Sequence, residues 1–416
     1  MSEPVPAQRS TAESAPAADS STVVTADANT VPAVRVSSRV AALDVLRGIA
    51  ILGTLGTNIW IFTNVEGLIG YLERSDEPTG AAMWVERFLQ QAAQGKFLGL
   101  LTIMFGIGLA IQQRSAARGG RPWPGKYPWR AGLLFLDGLL HFLLFTEFDV
   151  LMGYALTGLV VAYVLATSPR AQRRWLIITA SLHITVMTLV AAAIAFAPQQ
   201  DSAPAEPLDP NPYADGSFWD LVMFRWDSLL LFRIETIVIF PMSIALFLVG
   251  ARLFNAGVFE LNGARIRKRL MIIGAIALPL DMALGMVNPT LVIITRYGIA
   301  PFVALGILGL AAEFYVRRPR PGFVGRRFSE VGRMALSCYI LQNVVASSIC
   351  YGWGLGLAAQ VSGNARVPFT VAVYLVTAGL MLVFAHVWLR RFQRGPVEWL
   401  WNRSYQAIAE RGGRPA

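Results

Sequence analysis

The stretch LDVLRGIAILGTLGTNIWIF, residues 43–62, decides the fold class of this chain. No charged residue follows Arg47 until Glu66. An apolar run of about 18 or more residues is typical of a helix that crosses a lipid bilayer. Similar runs recur along the chain and are separated by short polar connections. The sequence therefore predicts a multi-pass membrane protein.

The composition agrees with this prediction. Hydrophobic residues make up 55% of the 416 residues and charged residues only 15%, whereas about 25% of a soluble domain is charged. One soluble core could not bury so many continuously apolar helices. The net charge of +10 does not indicate nucleic-acid binding, because the arginines lie between apolar segments and form no stripe interleaved with aromatic residues.

The hydrophobic pattern predicts an all-α fold, a polytopic membrane helical bundle of about ten transmembrane helices. The predicted spans cover residues 43–62, 97–112, 131–145, 150–166, 175–197, 229–254, 270–287, 291–315, 334–357 and 368–389. Most of the 36 Lys and Arg residues lie in every second connection, whereas the connections 64–80, 146–149 and 198–228 are acidic. Because basic connections stay inside the cell, this alternation predicts a cell-membrane protein with both termini in the cytoplasm.

Three segments are predicted along the chain. Residues 1–38 are rich in Ala, Ser, Thr, Pro and Val without periodicity, which predicts a disordered cytoplasmic tail. Residues 39–405 form the membrane-embedded domain. Residues 406–416 are predicted to be a flexible C-terminal tail.

Charged side chains inside the predicted spans are candidate functional residues, because a charge in the hydrocarbon region is costly. Asp44 and Arg47 are three residues apart and can pair on one helix face. An anchoring pair at the membrane interface is the structural alternative. Asn58 follows Arg47 by eleven residues, which brings it to nearly the same face about 16 Å deeper. Arg47 and Asn58 are therefore predicted to line one cavity.

A second candidate group surrounds His141. Asp137 precedes His141 by four residues and shares its helix face, and Glu147 and Asp149 follow just beyond. An imidazole oriented by a carboxylate is the usual arrangement of a general base. A hydrogen-bonded structural histidine is the alternative.

A third group forms a polar stripe on the ninth predicted span. Tyr339, Asn343 and Ser347 repeat every four residues, and Gln342 lies beside them. Such a stripe faces either a water-filled cavity or a neighbouring helix to which it donates hydrogen bonds.

Several blocks of this sequence resemble the YeiB family of bacterial membrane proteins, whose domain is of unknown function. The blocks are LDVLRGIAILGTLGTN (43–58), GKFLGLLTIMFGIGLAI (95–111), DGLLHFLLFTEFDVLMGYALTGLV (137–160), and GRMALSCYILQN (332–343) together with RGPVEWLW (394–401). The resemblance covers about residues 39–405 and implies a polytopic helical membrane fold. The 198–228 loop and the N-terminal tail carry no such resemblance.

YeiB-like proteins are similar, more distantly, to transmembrane acyltransferases, which move acyl groups from cytoplasmic acyl-CoA to acceptors such as sugar hydroxyls or amines. The acyltransferase-3 pattern in the first span is an Arg, ten residues and a His. Here Arg47 matches the Arg, but Asn58 stands at the His position. An amide can orient an acceptor but cannot take its proton. The resemblance thus implies either another base, with His141 as the candidate, or a branch without this chemistry.

The first hypothesis is an acyltransferase-like enzyme. Arg47, near Asp44, would contact the phosphates of the donor. His141, oriented by Asp137 or by an acid of the following turn, would deprotonate the acceptor, and Asn58 would position it. The other residues of the predicted substrate site are Glu147, Asp149, Tyr339, Gln342 and Asn343. The expected partners are the lipid bilayer, acyl-CoA as donor substrate and an acceptor.

No metal-binding or nucleotide-binding motif is present, so neither a metal nor a cofactor is expected. The alternative function is a transporter or permease for a small solute. Its path would be formed by the intramembrane residues Arg233, Glu235, Asp281 and Arg296, which are otherwise explained as a structural ion-pair network. A non-catalytic membrane scaffold is the third reading.

Overall fold

The computed structural model describes residues 34–196, 207–288, 291–318 and 320–411. Within these ranges the chain is all-α and contains no strand. The first nine helices are α1 (Val34–Phe62), α2 (Gly67–Glu73), α3 (Gly80–Ala93), α4 (Lys96–Arg118), α5 (Tyr127–Leu144), α6 (Leu151–Leu165), α7 (Pro169–Phe196), α8 (Phe218–Asp227) and α9 (Leu229–Val238). The others are α10 (Phe240–Asn255), α11 (Ala264–Val287), α12 (Val292–Ile294), α13 (Ala300–Arg317), α14 (Phe323–Arg333), α15 (Ala335–Cys350), α16 (Arg366–Leu389) and α17 (Pro396–Arg411).

Six helical segments of the described residues are long and apolar enough to cross a bilayer. They are Ala41–Phe62, Gly80–Arg118, Pro169–Phe196, Leu261–Val287, Val292–Arg317 and Gly363–Leu389. The pair α9 and α10, bent by 46°, makes a seventh if it counts as one broken span. These segments indicate a helical membrane protein.

The structure has six or seven segments that can span a membrane among the described residues, fewer than the ten or so that the sequence predicted. Three predicted spans are not among these segments. Two of them form shorter helices, α6 with 15 residues and α15 with 16, whereas α5 has 18 residues but includes Arg130, Asp137 and His141. At 1.5 Å per residue, 15 or 16 residues extend about 22–24 Å, which is less than the roughly 30 Å of a bilayer core. The apolar runs were read correctly as helices, but not every helix is long enough to span.

Helix α1 lies at the centre of the bundle. Its apolar window is 78% buried, whereas that of α7 is only 17% buried and leaves most of its side chains on the outer surface. The neighbours of α1 are α2, α3, α4, α13, α14, α15 and α16. The contact with α14 is close because Gly48 lies against the backbone of Phe328, and Gly332 of α14 lies against the backbone of Asp44. Small residues allow this approach.

The predicted tails fall largely outside the described residues. Helix α1 begins at Val34, inside the predicted N-terminal tail, and residues 1–33 are not described. Helix α17 ends at Arg411, inside the predicted C-terminal tail, and residues 412–416 are not described. The segment boundaries 1–38, 39–405 and 406–416 therefore stay predictions.

Candidate functional site

The turn between α5 and α6, residues 145–150, is buried inside the protein. Thr146 and Glu147 have no exposed surface, and Asp149 is 2% exposed. We call this turn the hairpin tip. The sequence places 146–149 in an acidic connection between two spans, and the structure shows that the side chains of this connection face other helices.

Arg225 of α8 holds the hairpin tip from one side. Its guanidinium is 1% exposed, and its Nε donates to Glu147 Oε1 over 3.2 Å. Its terminal nitrogens donate to the carbonyl oxygens of Leu143 (3.1 Å) and Phe145 (3.4 Å). These carbonyls lie at the end of α5, where no helical N–H group remains to bind them.

Arg233 of α9 holds the hairpin tip from the other side. It donates to the carbonyl oxygens of Asp149, over 3.0 Å, and of Glu147. Its guanidinium lies 4.2 Å from the centre of the Phe142 ring. Non-helical backbone inside a membrane protein is tolerated where protein groups satisfy its hydrogen bonds. The two arginines provide this and fix the position of the carboxylates.

His141 forms the centre of the site. Its Nδ1 lies 2.8 Å from Asp149 Oδ1, and its Nε2 lies 2.9 Å from Asn343 Nδ2 of α15. All three residues are at most 2% exposed. A carboxylate accepts and an amide nitrogen donates, so the arrangement fits a neutral imidazole with its proton on Nδ1. In this tautomer Nε2 carries the lone pair with which a general base accepts a proton.

The α15 stripe extends the polar centre. The ring of Tyr339 lies 4.9 Å from that of His141, centre to centre. Gln342 is fully buried, and both polar atoms of its side-chain amide lack a hydrogen-bond partner among the described residues, as does Asn343 Oδ1. An unpartnered buried polar group costs about 1–3 kcal/mol. These atoms are therefore suited to bind a water molecule or a polar ligand beside the imidazole.

Residues 207–217 cover the hairpin tip on the side of Arg225. Tyr213 of this segment is 1% exposed, and its ring packs against Tyr351 at 5.2 Å. Its carbonyl oxygen accepts from Gly352 N over 2.8 Å. Burial, and then the nearby Glu147 carboxylate, raises the pKa of Tyr213 well above its ordinary value. The phenol is therefore neutral and able to donate next to that carboxylate.

A cavity of about 410 Å³ borders the site. This volume is within the range of small-molecule sites. Three arginines line it, Arg47, Arg130 and Arg333, and Tyr339 lines it close to His141. Apolar side chains make up much of the remaining wall: Ile51, Leu101, Met104, Phe105, Leu109 and Leu134. The cavity thus joins cationic groups to the surroundings of the buried imidazole.

Comparison with known proteins relates this chain to a described family. The model of a family of proteins of unknown function, DUF418, matches residues 253–407. The uncharacterised protein YeiB of Escherichia coli (strain K12) is 30% identical over 382 residues, which cover 87% of this chain and 94% of that protein. The chain belongs to the YeiB family. The uncharacterised protein YxaH of Bacillus subtilis (strain 168) is 27% identical over 405 residues, covering 90% of this chain and 97% of YxaH.

The family predicted from the sequence blocks is therefore confirmed. The DUF418 match begins within α10 and ends within α17, so it includes α15 but not the hairpin tip. The alignment with YeiB covers most of the chain. Both relatives are described as uncharacterised, so membership of the YeiB family brings no activity to this chain, and the site has to be interpreted from its own geometry.

The carboxylate that contacts the imidazole in this YeiB-family site is that of Asp149. The imidazole pairs with Asp149, and Asp137 makes no hydrogen bond with it, although Asp137 precedes His141 by one helical turn. Asp137 Oδ2 is buried without a hydrogen-bond partner among the described residues. The reason is geometric: the hairpin tip folds back over the ring and occupies Nδ1.

Asn58 is not brought to the centre. It is half-buried, does not line the cavity and has no side-chain hydrogen bond to His141. Asn343 of α15 supplies the amide beside Nε2 instead. The helical spacing from Arg47 fixes the face of α1 that carries Asn58, but which helix reaches the imidazole depends on packing between distant segments.

Asp44 and Arg47 form the predicted pair. Arg47 Nη1 donates to Asp44 Oδ1 over 3.3 Å. Arg47 lines the cavity and Asp44 does not. Glu147 faces Arg225 and does not line the cavity either, so it is separated from the predicted donor site.

The four residues of the transporter hypothesis belong to three different sets of contacts. Arg296 pairs with Glu235 at 3.0 Å, Asp281 pairs with Lys96, and Arg233 holds the hairpin tip. None of the four lines the cavity. The four residues therefore lie in separate contacts, and the transporter hypothesis stays a prediction.

Two residues of the site were missed in the sequence. Arg225 lies in WDLVMFRWD (219–227), where a single arginine among apolar residues was a signal, but the segment was assigned to a connection. Glu398 of α17 accepts from the backbone N–H groups of Leu336 (2.8 Å) and Ser337 (3.2 Å) at the start of α15. No local pattern reveals this contact, because the partners are about sixty residues apart.

Proposed function

We propose that this YeiB-family protein is a membrane acyltransferase that moves an acyl group from a CoA thioester to a nucleophilic acceptor. The observation that carries the proposal is the cavity, which extends from three arginines to Tyr339, whose ring lies 4.9 Å from that of His141. Arginines suit an anionic donor, and the apolar wall suits its uncharged arm and acyl group.

In this proposal the cavity opens toward the cytoplasm. Arg130 precedes the apolar part of α5, Arg333 ends α14 and Glu398 begins α17. All three lie in or beside the basic connections that the positive-inside rule assigns to the cytoplasm. Both termini are then cytoplasmic, and a donor made in the cytoplasm has direct access to the arginines.

The proposed chemistry uses His141 as the base. Its Nε2 takes the proton of the acceptor hydroxyl or amine while the acceptor atom attacks the thioester carbonyl. The new bond forms as the carbon–sulfur bond breaks, and the imidazolium then returns the proton to the departing CoA thiolate. Asp149 stabilises the imidazolium through Nδ1–H. Asn343 now occupies Nε2, so the acceptor has to replace its amide there.

The test is replacement of the base. We expect His141→Ala to lower the rate of acyl transfer from acetyl-CoA to an acceptor panel by about 10²–10⁴-fold, measured as release of free CoA thiol by purified protein. Asp149→Asn should lower it as well, because the imidazole loses its anionic partner. The matched control is His386→Ala, since His386 is a partly exposed histidine of α16 that pairs with Glu330. Transfer that is unchanged in His141→Ala would exclude the proposed base.

A further inference from the structure

The three arginines of the cavity differ in their partners. Arg47, which the sequence suggested for the donor phosphates, is already paired with the Asp44 carboxylate. Part of its charge is therefore compensated within α1. The other two arginines lie on different walls, Arg130 on α5 and Arg333 at the end of α14.

Among the described residues, the partners of Arg130 are neutral. Its Nη1 donates to the side-chain oxygen of Gln112 over 2.7 Å. Its guanidinium lies 5.1 Å from the centre of the Trp401 ring and 4.8 Å from that of Tyr405, both on α17. Stacking of this kind orients a guanidinium and leaves its positive charge uncompensated.

Arg333 also has a neutral partner. One of its terminal nitrogens donates to the carbonyl oxygen of Gln393 over 3.2 Å. Neither Arg130 nor Arg333 forms an ion pair with a carboxylate of the described residues. Arg333 is also close enough to the Asp44 carboxylate to interact with it electrostatically. A cavity lined by two cations that form no ion pair nevertheless attracts an anion.

The acidic residue of the cavity lining, Glu398, does not neutralise Arg130 and Arg333. Glu398 lines the cavity, but its carboxylate accepts from the N–H groups of Leu336 and Ser337 and from the Ser337 hydroxyl. A carboxylate at a helix N-terminus is stabilised by the helix dipole. Glu398 is therefore engaged by α15, and the charge balance of this end of the cavity stays positive.

We propose that Arg130 and Arg333 form a phosphate-binding pair, which holds the phosphate ester of an amphipathic ligand whose apolar part fills the cavity. A carboxylate offers two oxygens and is satisfied by one guanidinium fork. Two arginines on separate walls suit an anion with more oxygens, such as a phosphate or diphosphate. The apolar wall beyond them suits an uncharged arm or an acyl chain.

This inference adds a binding site to the proposed acyl transfer. It rests on the proposed function only for the identification of CoA as the ligand. Two sources share the chemistry, the phosphates of CoA and the headgroup of a phospholipid. CoA would be the donor of the proposed reaction. A phospholipid would use the same arginines and leave the acyl-CoA proposal without its donor site.

The experiment measures binding by isothermal titration calorimetry with the full chain in neutral detergent. The probes are CoA, the short-chain lipid dioctanoyl phosphatidic acid, inorganic phosphate, and the phosphate-free analogues pantetheine and dioctanoylglycerol. We expect a phosphate-bearing amphiphile to bind more tightly than its phosphate-free analogue. Each of Arg130→Gln and Arg333→Gln should weaken that binding about tenfold, and the double variant more, because each removes a charged hydrogen bond.

The matched control is Arg121→Gln, an exposed arginine that lies before α5 and does not line the cavity. It should change the affinity less than about twofold. The variant Arg130→Lys keeps the positive charge but loses the two-pronged guanidinium, so it should bind the ligand with intermediate affinity. This result would show that the weaker binding of Arg130→Gln does not come from a folding defect. Thermal unfolding of each variant reports on folding.

The outcomes separate the two proposals. CoA binding that depends on both arginines supports the phosphate pair and the acyl-CoA donor. Binding of phosphatidic acid but not CoA supports the pair and rejects the donor. If no phosphate-bearing probe binds better than its analogue, or if binding is equal in Arg130→Gln, Arg333→Gln and Arg121→Gln, the phosphate pair is wrong.

Discussion

Replacement of Arg225 by alanine is expected to lower the free energy of unfolding by about 3–5 kcal/mol, the usual cost of breaking a buried ion pair. Arg225 is 1% exposed and pairs with Glu147, which has no exposed surface. Without the guanidinium, the carboxylate and the carbonyls at the end of α5 lose their donors. The measurement is unfolding by sodium dodecyl sulfate in mixed micelles, followed by circular dichroism.

Two controls separate this effect from loss of any arginine. Arg121→Ala removes an exposed arginine and should change the stability by at most about 0.5 kcal/mol. The double variant Arg225→Met with Glu147→Leu should be more stable than Arg225→Ala alone, because both charges leave together. Equal stability of Arg225→Ala and wild type would show that the arginine does not hold the hairpin tip.

Alanine at Gly48 is expected to destabilise the contact between α1 and α14. A Cβ atom at this position would lie 2.0 Å from the backbone carbonyl oxygen of Phe328. Backbone cannot rotate away as a side chain can, so the two helices have to separate. Overpacking of this kind costs about 1–3 kcal/mol and sometimes more. The same unfolding experiment measures the loss.

The matched control has the opposite expected sign. Gly379 lies inside α16, and a Cβ atom there would meet no atom within 4 Å. Alanine should be neutral or should stabilise this helix by about 0.5–1 kcal/mol, because glycine is a poor helix former. If Gly48→Ala were as stable as Gly379→Ala, the close crossing of α1 and α14 would not exist in the folded protein.

Much of the fold could be predicted because helix formation in a membrane protein is a local property. The predicted first span, residues 43–62, lies within α1 and has the same C-terminal end, Phe62, because the apolar run stops before Glu66. The number of spans was harder to predict. Hydropathy treats α5 and α6 as two crossings, whereas their common turn is a buried tip held by Arg225 and Arg233.

The candidate site was predictable only in part, because helix formation is a local property and the packing of distant helices is not. The proximity of His141 to a carboxylate follows from a short stretch of sequence. The choice of Asp149 over Asp137 depends on how the hairpin tip folds back over the imidazole, and the choice of Asn343 over Asn58 depends on which distant helix reaches it. Helical spacing predicts which residues share a face, but it does not predict which face of a distant helix lies opposite.

The buried hairpin tip has a consequence for how the chain is made. Arg225 is synthesised 78 residues after Glu147, the carboxylate it binds. At typical elongation rates of about 5–20 residues per second, roughly 4–16 s pass before the ribosome supplies that cation. During this interval Glu147 lacks its native cation. The ion pair that holds the hairpin tip can therefore form only after residues 148–225 have been made.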